Sequence, residues 1–138
     1  MNYELDDFET WLKTSLATWS GIDRVFQSMR AARKAASPFV VFLLQPGLGD
    51  VLGAGTGVDA LLMARPSYII ESVTLGPPTS TSKTIAAALH TNLAAGRFTI
   101  SGFQVDSRRL RATSRKTPGV NEDEFFIHRG GEYQFWIA

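Results

Sequence analysis

Apolar residues recur at helical spacing from Asp6 to Trp19, where Phe8, Trp11, Leu12, Leu16 and Trp19 make one stripe. The pattern predicts an amphipathic helix, capped by Asp6 with Glu9 three residues later and stopped by Ser20-Gly21. Ile22 to Phe26 predicts a short strand, and the basic, Ala-rich Met29 to Ala36 a loop or one helical turn. After Pro38 the period disappears: Phe39-Val40-Val41-Phe42-Leu43-Leu44 is continuously apolar, the mark of a strand buried on both faces. Gly47, Gly49, Gly53, Gly55 and Gly57 make Pro46 to Gly57 a long hairpin excursion. Strands are expected at Val58 to Met63 and Tyr68 to Leu75, with a bulge or break at Pro66. Ile85, Leu89 and Leu93 then return to helical spacing in a helix from about Thr81 to Ala95, capped by Ser80 or a neighbour and closed by Gly96.

Arg97 to Ile100 and Phe103 to Ala112 are weaker strand candidates, and Lys116 to Asp123 reads as a polar turn. The last residues alternate strongly. Glu124 to Arg129 and Glu132 to Ala138 predict two strands, and Gly130-Gly131 between them predicts a hairpin turn. Phe126 and Trp136 lie opposite the Phe125/Ile127 and Tyr133/Phe135/Ile137 rows, more apolar surface than a one-sided hairpin needs, so both are candidates for a subunit interface. Taken in order, the elements predict one domain over residues 1–138: an α+β fold, a largely antiparallel or mixed sheet with two main helices packed on one face.

Composition narrows the chemistry. At 138 residues, 44% hydrophobic and 20% charged, the chain can bury a real core and is not disordered. A formal net charge of +1 provides no global field for nucleic acid or an anionic membrane. Without cysteine there are no disulfides or thiolate metal sites. The acidic Met1 to Glu9 has no apolar core of a secretory signal.

The glycine-rich segment has no Lys in phosphate-loop position and no helix directly after it, so a nucleotide cradle is not expected. His90 and His128 are too few and too far apart for zinc, and no Gly-x-Ser-x-Gly elbow accompanies them. Neither catalysis nor a cofactor is expected. Leu48, Asp50, Val51 and Leu52 form instead a candidate docking loop, apolar enough to order against a partner. Basic residues cluster at Arg30, Arg33 and Lys34, and again at Arg108, Arg109, Arg111, Arg115 and Lys116. Arg108 and Arg109 are further interface candidates. Arg30, Arg33, Lys34, Arg111 and Arg115 are candidates for a basic rim or channel; a solvated face, or pairing with acidic turns of a neighbouring subunit, explains the same charges.

The order of parts resembles the tail terminator, or tail completion, proteins of long-tailed bacteriophages. The resemblance rests on the N-terminal amphipathic helix, Ile22-Asp23-Arg24-Val25-Phe26, the Pro38-led apolar strand, the long hairpin loop, the Ser82 to Ala95 helix, and the close His128-Arg129-Gly130-Gly131-Glu132-Tyr133-Gln134-Phe135-Trp136. It covers nearly the whole chain and lies in layout more than in a sharp motif. It implies a virion protein, assembled in the host cytoplasm, that forms a homo-oligomeric, usually hexameric, ring. Such a ring caps the tail tube, meets a head-neck stopper protein and leaves an axial channel for double-stranded DNA, with no enzymatic activity and no membrane. The long glycine loop and the Arg108–Lys116 stretch depart from many small relatives. Alternatives are a head-completion or stopper protein of the same neck, or a small non-specific nucleic-acid-binding module using the Arg108–Lys116 stretch.

Overall fold

The computed structural model describes residues 2–32, 37–45, 51–52, 63–76, 80–94, 96–100, 102–119, 121 and 123–137. The chain runs α1 (Asn2–Ser20), β1 (Val25–Phe26), α2 (Met29–Ala32), β2 (Phe39–Gln45), β3 (Val51–Leu52), β4 (Met63–Ala64), β5 (Ser67–Leu75), α3 (Ser80–Leu93), β6 (Arg97–Ile100), β7 (Phe103–Pro118) and β8 (Phe125–Ile137). It is a single α+β domain whose mixed sheet curls into a half-barrel. Across that sheet the main strands lie in the order β1-β2-β5-β8-β7-β6. β1 joins β2 in parallel and the other pairs are antiparallel. The short β3 and β4 extend the β2–β5 hairpin, and Ala64 rejoins β8 at Ile137. Pro66 breaks the path between β4 and β5, where a strand cannot use its missing N–H.

The two long helices cover one sheet face. Phe8, Leu12 and Leu16 of α1 and Ile85, Leu89 and Leu93 of α3 bury their stripes with Val40, Phe42, Tyr68, Ile70, Tyr133, Phe135 and Ile137. Trp11 and Trp19 extend this core and stack on Phe98. The opposite, outer face has its own smaller cluster at one end: Phe39, Val41, Val73 and Phe126, under Ala32 and Met29 of α2. This two-sided cover is what the unbroken apolar run of β2 requires.

Gly21 ends α1 at φ 74°, its N–H bonding the Ala17 carbonyl at 3.0 Å. The other end departs from expectation. α1 begins at Asn2, so Asp6 lies inside the helix and is not its cap. Glu9, its expected capping partner, instead accepts a hydrogen bond from the Tyr68 hydroxyl at 2.7 Å. α3 starts at Ser80 and ends at Leu93, with Gly96 just beyond under the Phe98 ring.

The largest correction concerns Gly130-Gly131. They are not a turn: β8 runs unbroken through both, between β5 and β7. A Cβ on Gly130 would stand 1.9 Å from the Ile70 carbonyl oxygen, and one on Gly131 would stand 2.8 Å from the Arg111 carbonyl oxygen. The glycines are therefore a demand of close approach between three strands rather than of a reversal. The chain reverses between β6 and β7, where Gly102 takes φ 91°, and again after Pro118, where Gly119 N–H bonds the Glu124 carbonyl at 2.9 Å. The segment Lys116 to Pro118, expected as turn, is strand.

Candidate functional site

Because β8 is one strand, Phe126 and Trp136 share its outer face but are ten positions apart, roughly 33 Å at strand rise. Phe126 is 3% exposed and belongs to the small core under α2, which removes it from the interface candidates. Trp136 is half-buried at the other end of the strand, with the Arg65 guanidinium 4.8 Å from its ring centroid.

Strand parity alone puts Arg109, Arg111 and Arg115 on one face. A bulge between Arg109 and Arg111 overrides it. Leu110 is the extra residue, 43% exposed, and every side chain beyond it changes face. Arg108, Arg111 and Arg115 consequently share the outer face with Gln134, Glu132 and His128. Arg109 and Lys116 share the helix-covered face with Tyr133 and Ile127.

Most of these cations have partners within the chain. Arg111 pairs with Glu132 at 2.8 Å, and Arg115 with Glu71 at 2.9 Å. The Lys116 ammonium lies 4.7 Å from the Phe125 ring centroid. Arg109 is the cross-strand partner of Tyr133, whose hydroxyl lies 3.1 Å from His90 Nδ1. Burial raises the Tyr133 pKa against the pull of Arg109; burial and then the Arg109 charge lower that of His90. Among the described residues, Arg108 has no such partner.

The outer face therefore has two halves. One is closed by α2 and the Phe39/Phe126 cluster. The other presents Ile69, Gln134 and Trp136, all half-buried, with exposed Arg108 and Arg111; Leu43 packs against the first half's cluster. Arg30 is exposed on α2. Arg33, Lys34, Leu48 and Asp50 lie outside the described residues, and Val51 and Leu52 are described only as backbone of β3.

Between the halves lies a polar cluster the sequence reading missed. Glu71 on β5 is fully buried yet charged. Its carboxylate accepts from Thr113 at 2.8 Å, Arg115 at 2.9 Å and His128 Nδ1 at 3.2 Å. His128 is also fully buried, and its Nε2 lies 2.8 Å from the Thr117 hydroxyl. With the proton on Nδ1, donated to Glu71, Nε2 accepts from Thr117. Burial raises the Glu71 pKa, but the hydrogen bonds from His128, Arg115 and Thr113 outweigh it and hold the group at about 2. The hydroxyl–imidazole–carboxylate order is that of a nucleophile relay. Here the carboxylate is shared with Arg115 and Thr113, and the contacts cross three neighbouring strands at the Val73↔His128↔Arg115 register. A lock on strand register accounts for every contact. The available signal was Glu71 itself, one acid between Ile69-Ile70 and Val73 in an otherwise buried strand.

Among the described residues no group of His, Asp or Glu could hold a metal ion, and no helix is long and apolar enough to cross a membrane. No known protein-family profile matches the chain, and no curated protein matches it.

Proposed function

We propose that this chain is a ring-forming structural protein of a tailed virus: the tail terminator, which caps the tail tube, meets the neck stopper and leaves a channel for DNA. The observation that carries this reading is the open half of the outer sheet face. There half-buried Trp136 and Ile69 share the face with an unneutralised Arg108, while the other half of that face carries the Phe39/Phe126 cluster under α2. Apolar surface rimmed by charge is what an association surface offers. Closing a ring requires a head-to-tail contact between two different patches. Arg108 lies toward one end of the β7–β8 ribbon and exposed Asp123 in the turn at its other end, one oppositely charged pair that a head-to-tail contact could bring together. The helix–strand–loop–helix–strand order of the resemblance adds to this support.

The nucleic-acid-module reading loses ground on the same residues. Arg111, Arg115 and Lys116 are engaged within the chain, and with Arg109 they are divided between two faces, so the four do not form one phosphate-binding stripe. Native mass spectrometry is the test. A closed ring of the wild type, disrupted by Arg108→Glu, is expected. A protein monomeric at high concentration and also monomeric within particles sinks the proposal. Salt-graded filter binding supplies the second arm: tight duplex binding by a monomer would favour the module.

A further inference from the structure

A cleft of about 350 Å³ opens on the helix-covered face, between the first half of α3 and the β7–β8 ribbon. Small residues make the room: Ala86 on the helix side, Ala112 and Gly130 on the sheet side. Two cations line it, Lys83 from α3 and Arg129 from β8, together with Ser114, the cross-strand partner of Arg129. Its lining contains no carboxylate. Glu71, the acid closest in register, is on the other sheet face and already bound to Arg115 and His128.

Arg129 carries the second observation. Its Nε is buried, with no hydrogen-bond acceptor among the described residues. Burying a donor without an acceptor costs free energy, so such a group calls for a completing partner, an ordered water or an ion. Like-charged Lys83 at the same cleft adds repulsion that an anion would relieve. We infer that this cleft is a seat for a phosphate group, held by the Arg129 guanidinium and the Lys83 ammonium with the Ser114 hydroxyl as an additional donor. A guanidinium suits this role because its planar donors match two oxygens at once. The inference does not depend on ring formation. The phosphate could belong to a free phosphate or phosphomonoester, or to a nucleic-acid backbone.

The test titrates inorganic phosphate into the full-length protein at constant ionic strength and follows backbone amide shifts. Saturable shifts confined to residues around Lys83, Ala86, Ser114 and Arg129 are expected. Arg129→Gln should weaken binding roughly tenfold, the loss of one charge-assisted hydrogen bond. Lys83 is exposed, so Lys83→Gln retains the fold and reports even if the Arg129 variant does not fold; it too should weaken binding. A short DNA duplex distinguishes the sources. Binding that both variants weaken and phosphate competes for identifies the backbone; phosphate binding without duplex binding identifies the small anion. Equal shifts from chloride at the same ionic strength, or an unchanged response in both variants, overturns the proposal.

Discussion

At the scale of single residues, Glu71 is the least replaceable charge in the fold. It is buried, shared by three donors and supported by an arginine from a strand that is not its direct neighbour. Glu71→Gln removes the charge that His128, Arg115 and Thr113 share and should destabilise the protein by about 3 kcal/mol at neutral pH. The pH dependence has a definite sign. The group titrates near 4.5 in the unfolded chain and at about 2 in the folded one. Its contribution, roughly 3 kcal/mol, is therefore fully present above the unfolded value and lost as pH falls through the folded value. Urea denaturation of wild type and Glu71→Gln should show a gap that narrows between about pH 5 and pH 2. A gap unchanged over that range would mean the stabilisation does not come from the ionised carboxylate.

At the scale of elements, β8 decides the sheet. It contributes Tyr133, Phe135 and Ile137 to the main core and Phe126 to the smaller one, on opposite faces. Gly130→Ala places a methyl against the Ile70 carbonyl and should cost at least the ~1–3 kcal/mol typical of overpacking, because a backbone atom cannot move aside as a side chain would. A melting temperature equal to wild type would refute the close approach of the Ile70 carbonyl. Deleting residues 134–138 removes Phe135 and Ile137 from the core, each worth about 1.5–3 kcal/mol, and unpairs the ends of β5 and β7. The truncated chain should not fold; a sharp thermal transition near the wild-type temperature would refute the central placement of the strand.

For the whole molecule, the two cores share β2, β5 and β8, so neither can be lost while the other persists. Unfolding should be a single cooperative transition. Trp11 and Trp19 on the helix face and Trp136 on β8 together report tertiary packing by fluorescence, while far-ultraviolet circular dichroism reports the secondary structure. Coincident urea transitions are expected; fluorescence lost well before ellipticity would mean that tertiary packing is lost ahead of secondary structure.

Periodicity by itself determined the helix stripes of Phe8/Leu12/Leu16 and Ile85/Leu89/Leu93, the break at Pro66 and the α+β class, because each is set by local spacing and burial; of the Phe39–Leu44 run expected to be buried on both faces, Phe39 to Phe42 are buried and Leu44 is exposed. It could not determine what Gly130-Gly131 are for. A turn and a close crossing both require glycine, and only the arrival of Ile70 and Arg111 from distant sequence distinguishes them. The division of the basic stretch between two faces was equally hidden, since the one-residue bulge at Leu110 is imposed by pairing with β8 and reverses strand parity beyond it. Glu71, His128, Thr113 and Arg115 are scattered along the chain and carry no shared motif. Only adjacency of β5, β8 and β7 in the sheet brings their side chains within hydrogen-bond distance and makes a buried charge tolerable.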